Sequence, residues 1–171
     1  MEDRISSLEI ALRNETKERE FYLAQAQKTQ NPLGRAIFTQ IADEEREHYE
    51  KLKELKQLWE NKGKWPETVP LVVNGTEVGR ILDELTQKVA NGKAGTADDL
   101  AAVRIAIEFE AAGAKFYQKL QEQVSDPLEK NFFAHLAKIE REHFLSLKDT
   151  EEYLSNPAAW YRKAEGTSLD G

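Results

Sequence analysis

The chain has 171 residues with 31 acidic and 24 basic side chains, and its formal charge of −7 and pI near 5.2 speak against nucleic acid as a partner. It contains no cysteine, which removes disulfides, thiolate zinc sites, iron–sulfur clusters and thiol nucleophiles, so any metal must be held by carboxylate and imidazole. No apolar run approaches the roughly 18 residues of a membrane span, and the opening MEDRISSLEI lacks the basic flank and apolar block of an export signal. A cytoplasmic protein is therefore expected, and 40% hydrophobic residues suffice for one buried core, a single domain over 1–171.

Apolar residues recur at gaps of three and four from Ile5 through Leu8, Leu12, Tyr22 and Ala26, which predicts a first helix over about 4–29. TQNPLG ends it, because the residue before a proline is pushed out of the helical region. A second helix over about 33–61 follows, with a seam of Phe38, Ile41, Leu52, Leu55 and Trp59. A crossover over about 62–96 comes next. Its part KWPETVPLVVNG reads as irregular or extended, and TEVGRILDELTQKVANG as a short amphipathic helix through Val78, Leu82, Leu85 and Val89. Thr96 followed by Asp99 resembles a capping box opening a third long helix over about 97–124. Asp126-Pro127 breaks that helix, and a fourth spans about 128–154, leaving a tail over 155–171.

The two halves superimpose with a constant shift of 95 residues and no gap. Glu15 falls on Glu110, Phe21-Tyr22 on Phe116-Tyr117, Pro32-Leu33 on Pro127-Leu128, and the word Glu45-Arg46-Glu47-His48 on Glu140-Arg141-Glu142-His143. The chain is thus expected to be all-α: two related helical hairpins joined by a long crossover into a four-helix bundle. The repeated polar residues fall on the apolar stripes. Glu15 interrupts the stripe 5, 8, 12, 15, 19, 22, and Glu110 the stripe 100, 103, 107, 110, 114, 117. Glu45 with His48, and Glu140 with His143, lie on the stripes of the other two helices. Burying one unpaired carboxylate costs several kcal/mol or forces it to protonate. Arg19 is the one basic residue on these stripes and cannot neutralise four glutamates, whereas two divalent cations can. Residues three apart share a helix face, so each Glu-x-x-His can give a bridging carboxylate and a terminal nitrogen, while Glu15 and Glu110 each cap one metal. Oxygen and imidazole donors without sulfur suit iron or manganese, and zinc less distinctively.

These residues resemble the rubrerythrin branch of the ferritin-like superfamily over nearly the whole chain. The resemblance implies a ferritin-like fold and a non-haem centre of two iron ions, held by Glu15, Glu45, His48, Glu110, Glu140 and His143, that reacts with hydrogen peroxide or dioxygen. It also implies a homodimer. Such proteins usually carry a cysteine-ligated rubredoxin domain, which a chain without cysteine cannot contain, so an external electron-donor protein, rubredoxin-like or a reductase, is expected. They also carry an extra glutamate three residues after the first ligand of the third helix, active in a ligand exchange; here that position is Gly113. The mirror position is Glu18, either a seventh ligand from the opposite side or a surface glutamate within ETKERE. Tyr22 and Tyr117, two turns beyond Glu15 and Glu110, either hydrogen-bond a carboxylate across the bundle or serve only in packing. Phe21, Phe116, Trp59, Trp65 and Trp160 read as packing residues, and His135 as a surface residue.

Three functions follow as expectations. The first is a peroxidase that reduces hydrogen peroxide with external electrons. The second is a ferroxidase or iron-sequestering protein, and the third a bundle in which the polar residues satisfy one another without metal.

Overall fold

The computed structural model describes residues 2–63, 75–88 and 92–168, and among them it contains six helices and no strand. They are α1 (Glu2–Lys28), α2 (Pro32–Lys62), α3 (Val78–Lys88), α4 (Ala97–Gln123), α5 (Pro127–Ser155) and α6 (Pro157–Ser168). The chain is an all-α bundle in which α1 packs along α2 and α4 along α5. The two hairpins meet through α1 with α4 and α2 with α5, and α3 lies against both α2 and α5.

The hairpin turns are set by the same device in each half. Asn31 accepts from the backbone N–H groups of Leu33 and Gly34 at 3.1 Å each, and Asp126 from those of Leu128 and Glu129 at 2.9 and 3.2 Å. Each is followed by a proline in the first turn, where its missing N–H has no helical partner to lose. α2 ends at Gly63, whose φ of 64° is the left-handed conformation that glycine adopts without a Cβ penalty. The capping box at α4 is present as expected: Thr96 Oγ1 accepts from Asp99 N–H at 3.2 Å, and Asp99 accepts from Thr96 N–H at 2.9 Å. The other oxygen of Asp99 accepts from Thr29 at 2.6 Å, which ties the end of α1 to the start of α4.

Two apolar clusters fill the bundle. One contains Tyr22, Ile37, Phe38, Ile41, Val103 and Leu147, and the other Leu8, Leu52, Leu55, Tyr117, Phe133 and Leu136. Each long helix passes from one cluster to the other, and the turn between them carries buried polar residues: Glu15 and Glu18 on α1, Glu44, Glu45 and His48 on α2, Glu110 on α4, Glu140 and His143 on α5. A polar layer is thereby enclosed between two apolar plugs.

The seams of α2 and α5 run as the periodicity predicts. Those of α1 and α4 differ by one residue at several turns. Ala11 and Glu18 are buried where Leu12 and Arg19 were expected, and Ala106 and Gly113 where Ile107 and Ala114 were expected; Arg19 is exposed. The inner faces of these two helices carry small residues, which leave room for the side chains of the polar layer. Much of the tail forms α6. Asn156 accepts from Ala159 N–H at 3.1 Å, Trp160 donates to Asp149 at 2.8 Å, and Tyr161 donates to the carbonyl of Thr86 at 2.7 Å, so α6 is pinned to α5 and α3. Most of the segment KWPETVPLVVNG, with Trp65, and also Val89 lie outside the described residues. His135 is half-buried rather than a surface residue.

Candidate metal centre

Four helices converge on the polar layer, and the six glutamates and histidines named from the sequence meet there, each no more than 1% exposed. His48 Nδ1 lies 3.3 Å from Glu15, 3.3 Å from Glu45 and 3.5 Å from Glu140. His143 Nδ1 lies 3.3 Å from Glu110 and 3.5 Å from Glu45. The two imidazoles are stacked, with ring centroids 6.2 Å apart. Donor atoms within 4.8 Å of one another form two groups: Glu15, Glu45, His48 and Glu140, and Glu45, Glu110, Glu140 and His143. Glu45 and Glu140 belong to both groups, while Glu15, Glu110 and each histidine belong to one. Shared membership of Glu45 and Glu140 is what bridging carboxylates would require.

The chemistry of the layer fits a pair of cations. Glu15 Oε2, His48 Nδ1 and both carboxylate oxygens of Glu45 and of Glu140 are buried without a hydrogen-bond partner. Leaving one such atom unsatisfied costs about 1–3 kcal/mol, and more for a charge. Six of them facing one space require compensation that protein donors do not supply. Without cations the layer holds protons instead. Burial, reinforced by the charge of Glu45, pushes the Glu15 carboxyl up to about 8. Burial and the Glu110 charge push Glu140 well above the carboxylate range. Burial alone would lower both imidazoles, but Glu45 beside His48 and Glu110 beside His143 hold them well above the usual imidazole value. Burial and the charge of Glu140 would raise the Glu45 carboxyl, yet the nearness of Glu15, His48 and His143 leaves it below the usual carboxylate value.

The tyrosines bind carboxylates across the bundle. Tyr22 of α1 donates to Glu110 of α4, and Tyr117 of α4 donates to Glu15 of α1. Each phenol also packs against a phenylalanine, Tyr22 on Phe38 and Tyr117 on Phe133. Packing and hydrogen bonding are therefore both realised.

Glu18 is buried, at 9% exposure, which removes the reading of a surface residue. Burial first, then the charges of Glu140, Glu45, Glu110 and Glu15, raise its carboxyl well above the usual range. It faces the layer without joining either group of four donors. At its mirror position a Cβ added to Gly113 would come within 2.8 Å of Glu140 Oε2, so this glycine is what admits the Glu140 carboxylate.

One residue of the layer escaped the sequence. Glu44 accepts from His143 Nε2 at 2.5 Å with one oxygen. With the other it accepts from Gln40 at 2.8 Å and from the backbone N–H of Glu77 at 2.9 Å. Burial would raise its carboxyl, but His143, Gln40 and the Glu77 amide hold it down at about 2. Glu44 looks like another charge in DEEREH, and its partner lies 99 residues away, so only the folded chain reveals the pairing.

Fold and site together define a class: a four-helix bundle whose buried carboxylate and imidazole donors fit a dinuclear metal site. The family is given by comparison, since a model described as Rubrerythrin matches residues 6–151, and the chain belongs to the rubrerythrin family. A solved structure of a hypothetical protein from Pyrococcus furiosus is similar over 88% of this chain and 89% of its own, with 26% identity and a TM-score of 0.65. No curated protein matches. Among the described residues, no helix is long and apolar enough to cross a membrane.

Proposed function

We propose that the protein is a non-haem di-iron oxidoreductase that reduces hydrogen peroxide with electrons from an external protein donor. The observation that carries the metal reading is the set of buried, unpartnered donor atoms, which divide into two groups sharing Glu45 and Glu140. Glu15, Glu45, His48 and Glu140 would hold one ion, and Glu45, Glu110, Glu140 and His143 the other. When bound, two iron ions supply Lewis acidity and the two electrons that peroxide takes up, with two protons, to give two waters. The need for a redox couple argues against zinc, and membership of the rubrerythrin family supports iron over manganese.

The protein's own contribution is positional and protective. The phenols of Tyr22 and Tyr117 orient the Glu110 and Glu15 carboxylates. The two apolar clusters keep bulk water from the layer on either side. Glu18 lies one turn from Glu15 and against the same charges, a fifth carboxylate facing the layer beside the four glutamate ligand candidates. The absence of cysteine from these 171 residues, which leaves them no rubredoxin-type centre, supports a separate electron donor.

Stopped-flow mixing of the anaerobically reduced, iron-loaded protein with peroxide or with air-saturated buffer tests the reading. Stoichiometric oxidation much faster with peroxide is expected. Equal rates would instead favour a ferroxidase.

A further inference from the structure

The two metal positions have equivalent donors but unequal surroundings: Glu18 faces the layer where its mirror position is Gly113, and Glu44 binds a histidine where its mirror position is Ile139. We propose that Glu44 is a positioning residue for His143 that makes the two positions bind metal with different affinity, tighter at the Glu110–His143 position. This inference rests on the metal reading above.

The argument starts from the imidazole. His143 faces Glu45 and Glu110 with Nδ1 and Glu44 with Nε2. With Glu44 accepting at Nε2, the ring proton sits on that nitrogen and the lone pair is left on Nδ1, the atom turned toward the layer. The same hydrogen bond fixes the ring plane and increases the donor strength of Nδ1. Glu44 is itself held from two sides, by the Gln40 side chain and by the Glu77 amide at the start of α3. An anchored carboxylate transmits that rigidity to the imidazole it binds.

The mirror position breaks the pattern. Ninety-five residues on from Glu44 stands Ile139, buried in the apolar cluster and unable to accept a hydrogen bond. His48 meets Glu15, Glu45 and Glu140 through Nδ1, as the repeat requires, but Ile139 cannot do for it what Glu44 does for His143. The phenols do not compensate, because each half supplies one to the other. The difference between the positions therefore comes from outside the ligand set, and α3 in the crossover takes part in it through Glu77.

The test is cobalt(II) titration of the metal-stripped full-length chain, followed by visible absorption and calorimetry, for wild type, Glu44→Gln, Glu44→Ala and Gln40→Leu. Wild type should bind two ions in resolved steps. Glu44→Ala should weaken the tighter step about 10–100-fold and leave the other unchanged. Glu44→Gln should fall between, and Gln40→Leu should weaken the same step by a smaller factor. In the cobalt-loaded protein, NMR should find one hyperfine-shifted, exchange-protected imidazole N–H, lost in Glu44→Ala. A role in folding alone would not move that signal. Equal affinities at the two positions in wild type would overturn the proposal, as would loss of both steps together in the variants or variants that titrate like wild type. Wild type that binds no metal would remove the metal reading and this inference with it. If Glu44→Ala fails to fold, Gln40→Leu and the wild-type N–H signal decide.

Discussion

The α1–α2 hairpin and the α4–α5 hairpin are two versions of one design, and they agree and differ in separate places. Agreement covers the ligand candidates, the phenols and the Asx-Pro turns: Glu15 with Glu110, Glu45 with Glu140, His48 with His143, Tyr22 with Tyr117, Asn31 with Asp126. Difference surrounds them, with Glu18 against Gly113, Glu44 against Ile139 and Gln40 against His135. The atoms that would touch metal form a symmetric set, because two like cations need like donors. The residues one layer out are free to make the two positions behave differently, since they act by orienting donors and by occupying space.

The strongest way to break the symmetric part is to remove a shared donor. Glu45→Ala or Glu140→Ala should abolish binding of both ions, whereas Glu15→Ala or Glu110→Ala should spare one, as metal analysis after desalting would reveal. The same glutamate type at one depth thus gives two outcomes, depending on whether it belongs to both groups.

The next effect is on stability and has a defined sign with pH. The Glu15 carboxyl is raised from an ordinary 4.5 to about 8, so its contribution is present below 4.5 and lost as pH rises through 8. His48 and His143, raised above 6.5, act in the same direction at higher pH. Glu44 acts oppositely, its contribution being present above 4.5 and lost as pH falls through about 2. Melting of the stripped protein should therefore fall steadily from about pH 5 to about pH 9. Metal requires deprotonated donors, so the loaded protein should gain over the stripped one across that range. The gain should reach about 4 kcal/mol per site at a thousandfold excess over the dissociation constant. Calorimetric scans of both forms at several pH values check this, and parallel curves would contradict it.

Smaller effects sharpen the asymmetric part. Gly113→Ala places a methyl against Glu140 and should cost about 1–3 kcal/mol through overpacking. It should also weaken both metal positions, because Glu140 is shared. Glu18→Ala, at the mirror position, should remove the cost of burying and protonating that carboxyl in the stripped protein and raise its melting temperature above about pH 5. The least effect belongs to the turns, where Asn31→Ala and Asp126→Ala should each cost about 1 kcal/mol in urea denaturation without altering metal content.

Much of this architecture is legible in the sequence because the repeat fixes it twice. The seams of α2 and α5 are carried by large residues such as Phe38, Leu52, Phe133 and Leu147, and periodicity finds those directly. The seams of α1 and α4 pass through Ala11, Ala106 and Gly113, which carry little hydrophobic signal, so the stripe shifts to the larger Leu12 and Ile107 beside them. That one-residue shift puts Arg19 on the apparent stripe and takes Glu18 off it, whereas Glu18 is buried and Arg19 exposed. α6 also has a signal in the sequence. Asn156-Pro157 repeats the word that starts α2 at Asn31-Pro32 and α5 at Asp126-Pro127. Glu44 had no local signal, since its role depends on a contact between α2 and α5.

The crossed phenol bonds have a consequence for the chain's integrity. Tyr22 completes the environment of a glutamate in the second half, and Tyr117 that of a glutamate in the first. If the polypeptide were cut in the crossover, each fragment would keep a donor whose acceptor had departed with the other piece. The fragments would thus be complementary like the strands of a clasp, and recovery of cation uptake on mixing them would report their reunion.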